Sequence, residues 1–154
     1  MSNMSINGQR LWDSLMEMAK IGATEKGGCC RLALTDLDKQ SRDLFVSWCE
    51  TEGCSIKVDQ MGNIFARREG SDPNMGAVVL GSHLDTQPTA GKSAGVYGVL
   101  AGLEVIRSVH AQNINTHSPI PATVWPNPDG PRFATALVTS AVFAGALALE
   151  SDLR

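Results

Sequence analysis

A histidine followed two residues later by an aspartate, His83-Leu84-Asp85, stands just after the apolar run Ala77 to Leu80. One imidazole nitrogen can be offered to a metal while a neighbouring acid orients the ring, so the pair has the residue types and spacing of a ligand with its support. The pair by itself is a short signal, because a histidine at a strand end is more often simply hydrogen-bonded. A second acidic candidate, Asp129, lies in Val124-Trp125-Pro126-Asn127-Pro128-Asp129-Gly130-Pro131-Arg132-Phe133. Prolines at 126, 128 and 131 restrict that backbone and remove amide donors, and Pro128 has no group that accepts a proton. His110 and His117 fall at a helix end and in a polar loop, where solvent-facing rings are expected. Cys29, Cys30, Cys49 and Cys54 form neither a Cys-x-x-Cys pair nor the paired spacing of a structural zinc site. They read as reduced thiols, with Cys49 on a helix face and Cys54 starting a strand.

The elements that must position these groups follow from periodicity and punctuation. Between Gly8 and Gly22, Leu11, Trp12, Leu15, Met16, Met18 and Ala19 recur at the steps of an amphipathic helix. Thr35 can cap a second helix, with Asp38 placed for a capping box, that runs through Leu44, Phe45 and Trp48 and stops at Gly53. Two short strands, Cys54 to Asp59 and Asn63 to Arg68, flank a Gln60-Met61-Gly62 turn, and Ser71 to Asn74 makes another. Ala77 to Leu80 reads as a strand covered on both faces, Tyr97 to Ala111 as a helix, and Ile120 to Trp125 as a further strand. Such a strand–helix–strand unit predicts an α/β domain with a partly parallel sheet, whose binding residues gather at the carboxyl ends of strands, as His83 and Asp129 do. A last helix is expected from Ser140 to Leu149.

Composition narrows the function classes. A chain of 154 residues, 43% hydrophobic and 19% charged, can bury the core of one ordinary domain. Its net charge of -3 and its few aromatic residues disfavour nucleic-acid binding. The Arg67-Arg68 pair reads as a solvated strand end. The start, Met1 to Arg10, is polar, and no apolar run reaches the length of a membrane span, so no membrane association and a cytoplasmic location are expected.

The strings Asn7-Gly8-Gln9-Arg10-Leu11-Trp12, Gly62-Asn63, Gly81-Ser82-His83-Leu84-Asp85-Thr86-Gln87-Pro88 and Gly98-Val99-Leu100-Ala101-Gly102-Leu103-Glu104 together resemble a known family. It comprises the zinc-dependent amidohydrolases that include N-carbamoyl-L-amino-acid hydrolases, β-ureidopropionases and allantoate amidohydrolases, within the clan of two-metal aminopeptidase-like enzymes. The resemblance implies an incomplete three-layer α/β/α catalytic domain with a mixed sheet. Residues 1–154 would form its N-terminal portion, with the dimerisation (lid) domain and the C-terminal catalytic half absent. It also implies hydrolysis of linear C–N bonds in small N-carbamoyl or ureido substrates, with zinc or another divalent metal polarising the carbonyl and acidifying water.

In that family the histidine matching His83 binds metal and the aspartate matching Asp85 supports it. An aspartate that bridges the two metals precedes the glycine matching Gly95; here the string is Gly91-Lys92-Ser93-Ala94-Gly95, and Ala94 has no oxygen to donate. Two adjacent glutamates, a general base and a metal ligand, match Pro128 and Asp129, so the base is lost and the second carboxylate sits on a shorter stem. The remaining ligands of the family, two histidines among them, match positions beyond Arg154. Two expectations follow: no appreciable hydrolysis by the chain alone or, alternatively, a non-catalytic interaction module that pairs with a full-length relative and exposes an apolar sheet edge.

Overall fold

The structure, a computed structural model, describes residues 4–134 and 136–149. Helix α1 (Gly8–Met18) starts at Asn7, whose side chain accepts from the Arg10 amide, and it buries Ser14, Leu15 and Met18. Trp12, expected on the packing face, is instead 56% exposed. It stands a full helical step off the Leu11–Leu15–Met18 line, which fills the available contact. Glu104, on the helix described below, accepts a forked pair of bonds from Arg10, each 2.8 Å, and so ties α1 into the domain.

Helix α2 (Asp36–Thr51) begins at Thr35, whose hydroxyl accepts from the Asp38 amide as expected. The reciprocal half of the capping box falls elsewhere, since the Asp38 carboxylate accepts from the Leu34 amide at 2.9 Å. The Thr35 amide is already bonded to the Leu32 carbonyl, and Leu34 takes φ 57°, which turns its own amide inward. Gly53, at φ 76°, ends the helix.

Strands β1 (Ser55–Val58) and β2 (Ile64–Arg68) pair antiparallel across a turn in which the Asp59 carboxylate accepts from the Met61 and Asn63 amides. Strand β3 (Leu80–Ser82) is followed by helix α3 (Val96–Ala111) and strand β4 (Ile120–Val124), and β3 pairs parallel with β4. The predicted strand–helix–strand unit is therefore present, but β3 lies later in the sequence than the apolar run. Val78 and Val79, expected to be covered on both sides, are 54% and 47% exposed. Register to β4, not local hydrophobicity, fixes where β3 forms.

The sheet order is β1-β2-β4-β3, mixed in direction. Pairing brings Ile64 opposite Val124, Ala66 opposite Ala122, and Ala122 opposite Leu80, all on one face. That face joins Phe45 and Cys49 of α2 and Val99, Leu100 and Leu103 of α3 in a single core. Gly102 lets α3 sit close, because a Cβ there would lie 3.2 Å from that of Leu80. The other face carries Phe65, Arg67, Pro121, Thr123 and Val79, and among the described residues a short helix, α4 (Val138–Phe143), packs on it through Phe143. The predicted final helix is thus earlier and shorter, because Gly145 takes φ 72° and stops it. No helix among the described residues is long and apolar enough to cross a membrane.

Candidate functional site

His83 leaves the carboxyl end of β3, with its side chain 15% exposed. Its Nδ1 lies 2.7 Å from the backbone carbonyl of Asp85, so Nδ1 carries the proton and the Nε2 lone pair is left for another partner. Nε2 points at Gly95, where an added Cβ would come within 2.1 Å of it. Gly95, at φ 72°, is the residue before α3, and exposed Ala94 precedes it. The imidazole thus lies against the backbone of Gly95, where the loop enters α3.

Asp85 is 2% exposed, and its carboxylate oxygen lies 4.0 Å from Nδ1 of His83. The ring is held by the Asp85 carbonyl, while the carboxylate accepts from the Asn127 amide at 3.1 Å. Burial pushes the Asp85 carboxyl up to about 6, against the Asn127 bond and the nearby His83, which both pull it down. Asn127, at φ 56°, is itself buried and carries the segment after β4 across to the segment after β3.

Arg31 is the side chain that builds this corner. It is fully buried, and its Nε and Nη2 donate to the Leu84 carbonyl at 3.1 and 3.0 Å. Its Nη1 donates to the Ile21 carbonyl at 2.6 Å and to the Cys29 sulfur at 2.7 Å. The Arg31 amide donates to Thr86 Oγ1 at 2.7 Å, the Thr86 amide returns to the Arg31 carbonyl at 2.6 Å, and Cys29 and Ala90 exchange backbone bonds. Residues 83–90 are thereby strapped to residues 29–31. Burial pushes the guanidinium down from its usual range, with Cys29, Asp38 and Asp85 opposing.

The loop after β4 is made differently. It closes largely on its own carbonyls, with Thr139 donating to Pro126 at 3.0 Å and the Leu137 amide to Pro128 at 3.1 Å, and Arg132 donates to the Ala33 carbonyl at 2.6 Å. Asp129 is exposed at its tip. Among the described residues no group of three or more His, Cys, Asp or Glu side chains stands together so as to hold a metal ion. The donors present do not fit a metal centre, for which three or four ligands are needed.

Of the other candidates, exposed His110 meets Glu52 at 3.0 Å and exposed His117 meets Ser71 at 3.3 Å, both away from His83 in their partners. All four cysteines are free thiols. Cys49 is buried on α2 and Cys54 precedes β1, and burial pushes both thiols up, Cys54 to about 11. Sequence reasoning missed Arg31 and Asn127. A lone arginine inside Cys29-Cys30-Arg31-Leu32-Ala33-Leu34 was the available signal for the first, since a charge in an apolar string is buried only with partners.

No family model matches the chain. The N-carbamoyl-L-amino-acid amidohydrolase of Rhizobium meliloti is 54% identical over 148 residues, taking in 96% of this chain and 36% of that protein. The corresponding protein of Geobacillus stearothermophilus is 36% identical over 146 residues, 95% of this chain and 36% of its own. The crystal structure of an amidase of the hydantoinase/carbamoylase family from Burkholderia vietnamiensis matches with a TM-score of 0.96 at 56% identity, over 98% of this chain and 37% of its own. The chain spans about a third of the length of the curated relatives it matches.

The class defined by fold and likeness is the aminopeptidase-like α/β domain of amidohydrolases, present in part. Within it, the chain is a relative of the N-carbamoyl-L-amino-acid amidohydrolases and the hydantoinase/carbamoylase family, and corresponds to their amino-terminal part.

Proposed function

We propose that the chain is the histidine-bearing portion of a hydrolase of linear C–N bonds in N-carbamoyl amino acids or ureido compounds, and that by itself it does not turn such substrates over. The observation that supports this reading is the donor set around His83, one imidazole nitrogen facing Gly95, with no trio of ligating side chains among the described residues. Hydrolysis of a carbamoyl group requires an activated water and a group to take its proton in the transition state. Pro128 cannot take that proton, and Asp129 is held in solvent at a loop tip. The zinc or other divalent ion that the resemblance implies would have His83 as its ligand and Asp129 as a candidate second, which is short of a closed site. Asp85 supports His83 through its carbonyl. The free thiols support a reducing, cytoplasmic setting.

The test is release of ammonia from N-carbamoyl-L-amino acids and from allantoate by the purified chain, with zinc, manganese, cobalt or nickel added in turn. No turnover above the metal-only blank is expected, and turnover that follows the chain's concentration would overturn the reading.

A second reading, an interaction module that pairs with a polypeptide of the same family, is favoured by the thinly covered sheet face and the exposed Val78 and Val79.

A further inference from the structure

The backbone sorts the four thiols into two neighbouring pairs of unlike geometry. Cys29 bridges Ala23 and Ala90 through its backbone, and its sulfur donates to the Ile21 carbonyl at 3.2 Å. Adjacent residues of an extended chain send their side chains to opposite sides, so buried Cys29 and half-buried Cys30 point apart.

Cys49 and Cys54 stand otherwise. Helix α2 ends in a Schellman turn: the Cys54 amide donates to the Cys49 carbonyl at 3.1 Å, the Gly53 amide donates to the Glu50 carbonyl at 2.9 Å, and Gly53 takes φ 76°. In such a turn the side chains at the two ends of the longer bond meet. Here both are thiols, and both belong to the main core, Cys49 0% and Cys54 7% exposed. An amide-to-carbonyl bond holds two Cα atoms about 5.5 Å apart in a strand ladder, and a disulfide spans about 4.4–6.8 Å. Burial pushes the Cys49 thiol up, and Cys54 beside it pushes the same way. Burial raises Cys54 to about 11, with Glu52 adding and Arg68 opposing. Thiols so held react slowly while the turn is shut. The turn itself lies at open surface, since a Cβ on Gly53 would meet nothing within 4 Å, and helix ends open at small cost.

We infer that Cys49 and Cys54 form a dithiol that hydroperoxides oxidise, and that the resulting disulfide clasps the end of α2 to the start of β1. Cys54, the less deeply buried, attacks first as its thiolate: an S–O bond forms, the O–O bond breaks, and hydroxide leaves as water after taking a proton. The Cys49 thiolate then attacks the Cys54 sulfur, the S–S bond forms, the S–O bond breaks, and a second water leaves. Two thiols lose two electrons and two protons, and one peroxide becomes two waters. The bond closes a loop that the Schellman turn already closes in the folded chain, so it restrains chiefly the unfolded one.

The experiment treats the purified chain with hydrogen peroxide, alkylates the remaining thiols in denaturant, and maps them by mass spectrometry. Trypsin leaves both thiols in one peptide, residues 43–57, and a glutamate-specific protease cuts between them after Glu50 and Glu52. The expected peptide is unalkylated, two hydrogens lighter, held together after the second cut, and separated by dithiothreitol. The urea midpoint of the oxidised chain should rise, the rise should vanish in Cys54→Ala, and Cys30→Ser should behave as the parent does. Full alkylation of residues 43–57 while Cys30 is oxidised overturns the assignment, as does conversion of Cys49 or Cys54 to sulfinic acid without a cross-link. A midpoint no higher than that of the reduced chain, or a rise that persists in Cys54→Ala, overturns the clasp. Should Cys54→Ala fail to fold, the peptide map of the parent and of Cys30→Ser decides alone.

Discussion

The segment after β3 is strapped to residues 29–31 by backbone pairs and by a buried guanidinium, whereas the segment after β4 closes largely on its own carbonyls, reaches the Ala33 carbonyl through Arg132, and leaves Asp129 in solvent. Both emerge from the same end of neighbouring strands. They are joined by the bond from the Asn127 amide to the Asp85 carboxylate. The difference teaches that the posture of His83 is set by its own segment and by residues 29–31. Its orientation is set by Arg31, Asp85 and Thr86, none of which needs anything from residue 94, 128 or 129.

The strongest way to break this comparison is to remove the guanidinium. Arg31→Ala would leave the Leu84 and Ile21 carbonyls buried without donors and open a cavity among Met18, Leu84 and Cys29. We expect a loss of about 3–5 kcal/mol in urea denaturation. A loss below about 1 kcal/mol would mean that the strapping by backbone pairs suffices alone.

Asp85 gives the next largest effect, through pH. Its carboxyl lies at about 6 in the folded chain against an ordinary 3.8, raised by burial. A raised acid is stabilising in its protonated form, so its contribution is whole below the ordinary value, is lost as pH rises through about 6, and stays lost above. Stability should fall by up to about 3 kcal/mol over that window. Asp85→Asn keeps an acceptor for the Asn127 amide and carries no charge, so denaturation midpoints of this variant should be flatter across the same range. A parent curve as flat as the variant's would show the carboxylate to be solvated.

How much of this was legible beforehand depends on the sequence distance between partners. The Thr35 cap, the turn at Gly62 and the stop at Gly53 are settled within a few residues, and local chemistry read them correctly. The position of His83 and Asp85 at a strand's carboxyl end was equally readable from polar residues following an apolar run. Arg31 and Asn127 were not, because their partners Leu84 and Asp85 lie 53 and 42 residues away. The same cause displaced β3 by a few residues, since the apolar run marks where a strand is favourable while β4 decides which residues pair. Trp12 misled because hydrophobic type was read without the angular position that takes it off the contact line.

A smaller effect sharpens the picture of the ring. Gly95→Ala puts a Cβ within 2.1 Å of His83 Nε2 at a backbone angle, φ 72°, that L side chains rarely adopt. We expect a cost of about 2 kcal/mol, with the ring displaced. Imidazole resonances followed by NMR should shift for His83 and stay put for His110 and His117, and unchanged His83 signals would contradict the close approach.

The smallest effect belongs to the other segment. Asp129 is exposed, at a tip whose backbone bonds come from Thr139 and Leu137 and not from its carboxylate. Asp129→Ala should therefore change stability by less than about 0.5 kcal/mol. The same denaturation series that registers Arg31→Ala should hardly register this one, with or without added zinc. If zinc stabilised the parent and Asp129→Ala abolished that gain, the carboxylate would be ligating after all, since an ion bound only to the folded chain raises its stability by mass action. The two segments would then be halves of one site, and the contrast drawn between them would fail.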